Sequence, residues 1–169
     1  MNDLILDIKN LEVIYKPDLE TVKAVNGINL KIGKGKTLGL VGETGAGKTT
    51  TALSILRLLP SATGKIINGE INFEDTDLLK IKEEDMRHMR GNKIAMVFQD
   101  PMTSLNPVMT VGDQIAEAIK FHNEELSKEE VEKKVDDKLL MVGILPSRKV
   151  EYPHQFSGGM KQRVVIAIA

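Results

Sequence analysis

Apolar residues in the first part of the chain fall in short runs, several of which alternate with polar positions. Alternation with a period of two is the pattern of a strand with one buried face. Turn-forming residues separate these runs, most clearly at Pro17-Asp18. The pattern therefore predicts an antiparallel β region built from Leu4–Ile8, Leu11–Tyr15 and Ala24–Ile32.

Two later runs are continuous rather than alternating. Thr37–Val41 and Lys93–Phe98 each have the length of a strand that is buried on both faces. Between them, Gly64–Glu74 holds two strand-like runs around an Asn-Gly dipeptide, which predicts a hairpin. The polar segment Asp77–Arg90 carries apolar residues near helical spacing, and we expect a helix there.

Helical periodicity dominates the second half of the chain. Val111–Phe121 is predicted to be a helix, and Ser127 with Glu130 fits a capping box at the start of another. Gly143 is expected to end that second helix. An earlier helix is predicted from Lys48, with one apolar face formed by Ala52, Ile55, Leu56 and Leu59.

The loop before this early helix has the form G-x-x-x-x-G-K-T. Glycines let successive backbone N–H groups point inward as an anion-binding nest, and the helix N-terminus adds partial positive charge. The lysine of such a loop reaches the outer phosphates, and its last hydroxyl can coordinate Mg²⁺. An ordinary glycine-rich turn is the alternative, but a phosphate loop explains all the constrained positions. Its residues are Gly42, Glu43, Thr44, Gly45, Ala46, Gly47, Lys48 and Thr49, with Thr50 supporting the outer phosphates.

A second glycine site lies near the end of the chain, at Ser157-Gly158-Gly159. Ser157 is predicted to be a helix N-cap, and the two glycines would let a ligand approach the first helical turn closely. Tyr15 is a further candidate: it is either an edge-strand aromatic or a platform on which a base stacks.

Composition narrows the class of protein. The 169 residues suit one domain, and a net charge of −1 offers no overall basic field for nucleic acid. The absence of cysteine suits a reducing compartment. No apolar run approaches the roughly 18 residues that span a membrane, and the first residues do not resemble a signal peptide. We therefore expect a cytoplasmic domain.

These motifs, in this order, resemble the nucleotide-binding subunit of ATP-binding-cassette (ABC) transporters over nearly the whole chain. Tyr15 matches the adenine-stacking aromatic of that family, and the glycine loop matches Walker A. Gln99 matches the Q-loop, and Ser157-Gly158-Gly159 match the family signature. The resemblance implies an α/β P-loop ATPase core with an antiparallel β subdomain and a helical subdomain. The implied division is 1–35 β region, 36–99 P-loop core, 100–156 helical subdomain and 157–169 signature helix.

The segment Phe98–Pro107 and the signature stretch around Met160 are similar to the peptide and nickel importer group of this family. Met160 stands where the wider family has Gln, but Met is common at that position in this group. The resemblance implies a subunit that binds ATP and hydrolyses it to energise import of oligopeptides, dipeptides or nickel. Its implied partners are transmembrane permease subunits and, indirectly, a solute-binding protein, so a peripheral position on the inner face of the membrane is expected.

The family's mechanism implies two such subunits, alike or different, that face each other and hold ATP with Mg²⁺ between them. Thr49 and Gln99 would contact the Mg²⁺, and Gln99 is the one implied catalytic-site residue within this sequence. The signature residues would contact the ATP held by the opposite subunit; they are Ser157, Gly158, Gly159, Met160 and Gln162.

The same comparison predicts that Walker B, with its catalytic Glu, and the switch His would follow Ala169. The sequence is therefore expected to be a fragment that binds ATP and hydrolyses it poorly. Two alternatives remain open: a cytosolic ABC protein of repair or translation, and a non-catalytic, nucleotide-dependent interaction module. The first would need long insertions or basic arms, which the sequence lacks.

Overall fold

A computed structural model of the chain describes residues 3–16, 20–98, 100 and 103–169. The predicted turn at Pro17-Asp18 and the predicted Q-loop residue Gln99 lie outside the described residues. The chain forms two compact units, Met1–Arg87 and His88–Ala169. Within the described ranges, no helix is both long enough and apolar enough to span a bilayer.

The first unit contains the predicted antiparallel sheet. Its strands are β1 Leu4–Tyr15, β2 Val22–Gly33, β3 Gly64–Phe73 and β4 Thr76–Asp77, in the spatial order β2-β1-β3-β4. All neighbouring pairs are antiparallel, with Val13 opposite Val25 and Ile8 opposite Ile71. The sheet and the helices of the chain agree with the α/β fold class that the sequence predicts.

A bulge joins the two predicted N-terminal strands into one. Asn10 has a positive φ of 46°, and the register shifts between Ile8 and Leu11 against β2 and between Lys9 and Glu12 against β3. One extra residue reverses the alternation of side chains. Leu6 and Ile8 before the bulge, and Leu11 and Val13 after it, are therefore all buried.

The predicted hairpin within Gly64–Glu74 is wrong, because the segment is the single strand β3. Gly69 lies where β3 crosses the β1 bulge, with φ +110°, and a Cβ there would come within 2.8 Å of the Asn10 carbonyl oxygen. Glycine at this position allows the backbones of β1 and β3 to approach closely, and it does not form a turn. The real two-residue turn is Glu74-Asp75, which has positive φ at both positions and connects β3 to β4.

The predicted buried strands Thr37–Val41 and Lys93–Phe98 are also wrong for the described residues. No described segment pairs with 37–43 or with 95–98, and only an isolated bridge joins Arg90 to Ile94. Val41 is 90% exposed, and Phe98 is 45% exposed. Apolar composition favours burial, but a strand forms only where a neighbour supplies hydrogen bonds and a covering surface.

Helix α1, Lys48–Ile55, begins where the sequence predicts, but it is shorter than expected and Leu59 lies beyond it. Inside the helix the buried residues are Thr51 and Ser54. Of the predicted apolar face, Leu56 is buried at the helix C-cap, whereas Ala52, Ile55 and Leu59 are only half-buried. The left-handed backbone of Arg57 follows the helix end. Helix α2, Glu83–Met89, is shorter than the predicted Asp77–Arg90, because the first residues of that segment pair in β4 or lie in turns.

Among its described residues, the second unit packs three helices and two short 3₁₀ helices around one apolar cluster. The helices are α3 Val111–His122, α4 Lys128–Met141 and α5 Gly158–Ile168; the 3₁₀ helices are Pro146–Val150 and Pro153–Gln155. The predicted capping box is confirmed, since Ser127 N donates to Glu130 Oε2 at 2.8 Å and Glu130 N donates to Ser127 Oγ at 3.3 Å. The buried core of the second unit includes Val111, Ile115, Val131, Val135, Leu139, Phe156 and Val164.

Candidate nucleotide-binding site

The loop before α1 has the backbone of an anion-binding nest. Gly42, Gly45 and Gly47 have φ values of 158°, 85° and 79°, a region that side chains disfavour. A Cβ on Gly47 would also overlap the carbonyl oxygen of Ala24 in β2. The loop residues from Gly42 to Ala46 are exposed, so their backbone is open to a ligand.

Lys48 spans this loop. Its Nζ donates to the carbonyl oxygens of Gly42, at 2.7 Å, and Glu43, at 2.6 Å. The ammonium charge therefore lies across the nest rather than pointing away from it. The side chain of Lys48 thus lies against the glycine loop, as the sequence motif predicts.

Helix α1 presents a free N-terminus to the same loop. Gly47 is its N-cap, provides no side-chain cap, and no acidic residue lies in the first turn. The first N–H groups of a helix lack intrahelical partners and carry partial positive charge. Thr49 is exposed in this first turn. The loop, the lysine and the helix end thus combine three attractions for a phosphate chain.

Tyr15 lies beside the loop helix in the first unit. Its hydroxyl is 3.5 Å from Thr50 Oγ1, and its ring lies against Gly64, where a Cβ would come within 2.9 Å of Tyr15 Cε1. The half-buried ring belongs to the last residue of β1. The structure therefore brings this sequence-predicted aromatic to the helix that carries Lys48.

Ser157 caps α5 as predicted. Its Oγ accepts a hydrogen bond from Met160 N at 3.4 Å, and its carbonyl accepts one from Lys161 N at 2.9 Å. Gly158 and Gly159 are exposed and neither has a positive φ. Apart from the adjoining residues and the backbone of α5, no described atom lies within 4 Å of a Cβ built on either. The fold of this unit does not itself require glycine at these positions, so the open first turn suits close approach by another molecule.

Two other predicted signature residues, Met160 and Gln162, are half-buried. Met160 packs against the apolar cluster of the second unit, and its Sδ lies 3.3 Å from Arg148 Nη1. Sequence reasoning missed Arg148 and its partner Glu151. The charged pair at spacing i, i+3 was the available signal.

Arg148 and Glu151 form a two-pronged ion pair. Arg148 Nη2 lies 2.7 Å from Glu151 Oε2, and Arg148 Nε lies 3.0 Å from Glu151 Oε1. The hydrogen bond from Arg148 lowers the pKa of the Glu151 carboxyl below its ordinary value and raises the pKa of Arg148. Both groups are thus held in their charged forms.

The described residues supply few protein ligands for a metal. Among them, no group of three or more His, Cys, Asp or Glu side chains is placed to hold a metal ion. Mg²⁺ in nucleotide sites takes most of its ligands from phosphates and water. The exposed Thr49 hydroxyl fits that mode of binding, in which the nucleotide brings the ion.

Comparison with known proteins agrees with this fold. Residues 25–169 match the ABC transporter family model, and the chain belongs to that family. It is 49% identical, over 99% of its length, to a probable peptide ABC transporter ATP-binding protein of Sinorhizobium fredii. It is 47% identical, over 98% of its length, to the oligopeptide transport ATP-binding protein OppD of Bacillus subtilis. The chain covers 50% and 46% of these two proteins, about half the length of each.

Two solved structures have the same fold. One is a dimeric ATP-binding cassette in a post-hydrolysis state bound to ADP and Pi, at TM-score 0.79 and 26% identity. The other is a dimeric bacterial ABC transporter cassette, at TM-score 0.83 and 28% identity. Each match covers 96% of this chain and 68% of the solved chain.

Proposed function

We propose that this chain binds ATP with Mg²⁺ as part of the ATPase subunit of an ABC importer for peptides. The observation that carries the proposal is the phosphate loop itself. Three glycines of unusual φ, the Lys48 ammonium and the uncapped start of α1 converge on one exposed stretch. ATP is the ligand class favoured by the family and by the relatives' names.

In this proposal the backbone from Gly42 to Thr50 binds the β- and γ-phosphates. Lys48 exchanges its two carbonyl acceptors for phosphate oxygens, which are stronger charge-assisted partners. Thr49 coordinates the Mg²⁺ brought by the nucleotide, together with Gln99. Tyr15 stacks on adenine, and its position beside Thr50 supports that role.

A second ATPase subunit, identical or related, completes the site. The first turn of α5 then binds the γ-phosphate of the opposite subunit's ATP through Ser157, Gly158 and Gly159, with Met160 and Gln162 in the same signature. The exposure of both glycines supports this role, because nothing in their own unit needs the missing side chains. Dimers among the solved relatives support the pairing.

Hydrolysis of this ATP would energise solute import through transmembrane permease subunits, with a solute-binding protein delivering the solute. The names of the relatives favour peptides over nickel as the solute. The subunit would then lie on the inner face of the membrane and be held there by its partners.

Calorimetric titration of the chain with Mg²⁺ and a non-hydrolysable ATP analogue tests the proposal. Lys48→Ala should weaken binding by at least about tenfold, since a charge-assisted contact to phosphate is lost. Lys34→Ala, which removes an exposed lysine outside the loop, is the matched control and should bind with unchanged affinity. Equal affinity of Lys48→Ala and the native chain would refute the proposed site.

A further inference from the structure

Arg148 lies at the centre of the contacts beneath the start of α5. Its guanidinium forms the two-pronged pair with Glu151 and also donates from Nη2 to the Gln155 carbonyl at 3.3 Å. Only 30% of its side chain is exposed. A planar guanidinium held by several acceptors at once has one available orientation.

The same guanidinium contacts the residues on both sides of the Ser157 cap. Its carbon Cζ lies 4.5 Å from the centre of the Phe156 ring, a cation–π contact. Its Nη1 lies 3.3 Å from Met160 Sδ. Phe156 directly precedes the cap, and Met160 donates its backbone N–H to the cap hydroxyl. One side chain therefore holds both ends of the Ser157-Gly158-Gly159 turn.

Two residues that contact Arg148, Glu151 and Phe156, are held by the rest of the second unit. The Glu151 carbonyl accepts a hydrogen bond from Val111 N, the first residue of α3, at 2.9 Å. Phe156 is 5% exposed within the apolar cluster. The turn itself has no such support, since Gly158 and Gly159 have no neighbour within 4 Å of a Cβ position. Arg148 thus links the exposed glycines to a rigid core.

We propose that Arg148 is a positioning residue that holds the Ser157-Gly158-Gly159 turn in the geometry needed to bind the opposite subunit's nucleotide. This rests on the proposed pairing of two subunits across ATP. Arg148 does not touch the nucleotide itself; it acts through Phe156, Gln155 and Met160. In this chain the side chain at position 160 serves the turn from its own unit.

The test compares three variants of the ¹⁵N-labelled chain. Arg148→Met replaces arginine with an unbranched, apolar side chain and so removes the guanidinium. Arg148→Lys keeps the charge and loses the planar fork. Arg163→Lys is the matched control, because Arg163 lies on α5 and donates to the carbonyls of Val142 and Gly143 rather than to the turn.

Backbone order parameters from ¹⁵N relaxation give the deciding readout. In Arg148→Met, the order parameters of the Gly158, Gly159 and Met160 amides should fall from about 0.85 to below about 0.6. The order parameter of the buried Val164 amide should stay unchanged. The same order parameters should fall by a smaller amount in Arg148→Lys, and in Arg163→Lys they should equal those of the native chain. Unchanged values at the turn in Arg148→Met would overturn the proposal. An equal fall at the turn and at Val164 means that Arg148→Met has lost its fold, and Arg148→Lys then decides. Order parameters unchanged from the native chain at the same three amides of Arg148→Lys would overturn the proposal.

A second readout separates this proposal from the one on which it rests. Arg148→Met should bind the ATP analogue with native affinity, because the phosphate loop belongs to the other unit. Its ATP-dependent self-association, measured by sedimentation, should weaken about tenfold or more, as misplaced binding groups do. Absence of ATP-dependent self-association in the native chain refutes a site formed by two copies of this chain, whereas the order parameters alone decide the role of Arg148.

Discussion

At the scale of the residue, the two glycine motifs meet different demands. Gly47 is required by its own fold, because its φ is +79° and a Cβ would overlap the Ala24 carbonyl oxygen. Gly45 has a similar φ of +85°, but open space surrounds it. Gly158 and Gly159 have neither constraint. Glycine in the phosphate loop therefore serves the backbone, and in the proposed pairing glycine in the signature turn leaves room for the partner's nucleotide.

Substitution of the two loop glycines should separate steric overlap from backbone strain. Gly45→Ala should cost about 1–2 kcal/mol of unfolding free energy, since only a left-handed conformation is penalised. Gly47→Ala should cost at least about 1 kcal/mol more, because β2 must also shift. Urea unfolding followed by circular dichroism measures both. Equal costs for the two variants would contradict the overlap with Ala24.

At the scale of the element, the β3–β4 connection carries a removable strain. Glu74 and Asp75 form a two-residue turn with φ values of 44° and 68°. This geometry favours Asn followed by Gly, and neither residue present is the preferred one. The turn nevertheless forms, because Phe73 and Asn72 pair with Thr76 and Asp77.

The double substitution Glu74→Asn with Asp75→Gly should therefore stabilise the chain by about 1 kcal/mol, through relief of left-handed strain. Thermal unfolding measures the gain. Lys133→Gly, at an exposed position inside α4, is the matched control and should destabilise by about 1 kcal/mol. Destabilisation by the turn substitution would show that Glu74 or Asp75 makes a contact that outweighs the strain.

The elements also show how far sequence reasoning reaches. Local signals were sufficient for the capping box at Ser127, the cap at Ser157 and the glycine loop, because each depends on residues within a few positions. The Asn68-Gly69 pair wrongly predicted a hairpin, because Gly69 instead accommodates the bulge of β1, which is far away in sequence. Thr37–Val41 misled because burial of a strand depends on neighbours that periodicity does not reveal.

Arg148 illustrates the same limit at the site. Its sequence neighbourhood marks only an exposed ion pair with Glu151, and such pairs are common on helices. Its contact with Met160, twelve positions away, exists only once the 3₁₀ helices bring the chain back to α5. The residues proposed to bind the ligand could be predicted from motifs, whereas Arg148, which we propose positions the signature turn, could not.

At the scale of the whole molecule, each unit carries one of the two motifs. The first unit holds the phosphate loop on α1, and the second holds the signature turn on α5. In the proposed function, these motifs lie on opposite sides of a nucleotide shared by two subunits. The phosphate loop should therefore bind nucleotide alone, and the signature turn should respond only when a second subunit is present.

Mapping of backbone amide shifts during titration with Mg²⁺ and an ATP analogue tests this claim most directly. At concentrations where the chain is monomeric, the account predicts shifts at Gly42–Thr50 and Tyr15, and none at Ser157–Met160. Shifts at Ser157–Met160 should appear only as the chain associates. Shifts at the signature turn in the monomer, or none at the phosphate loop, would contradict the account.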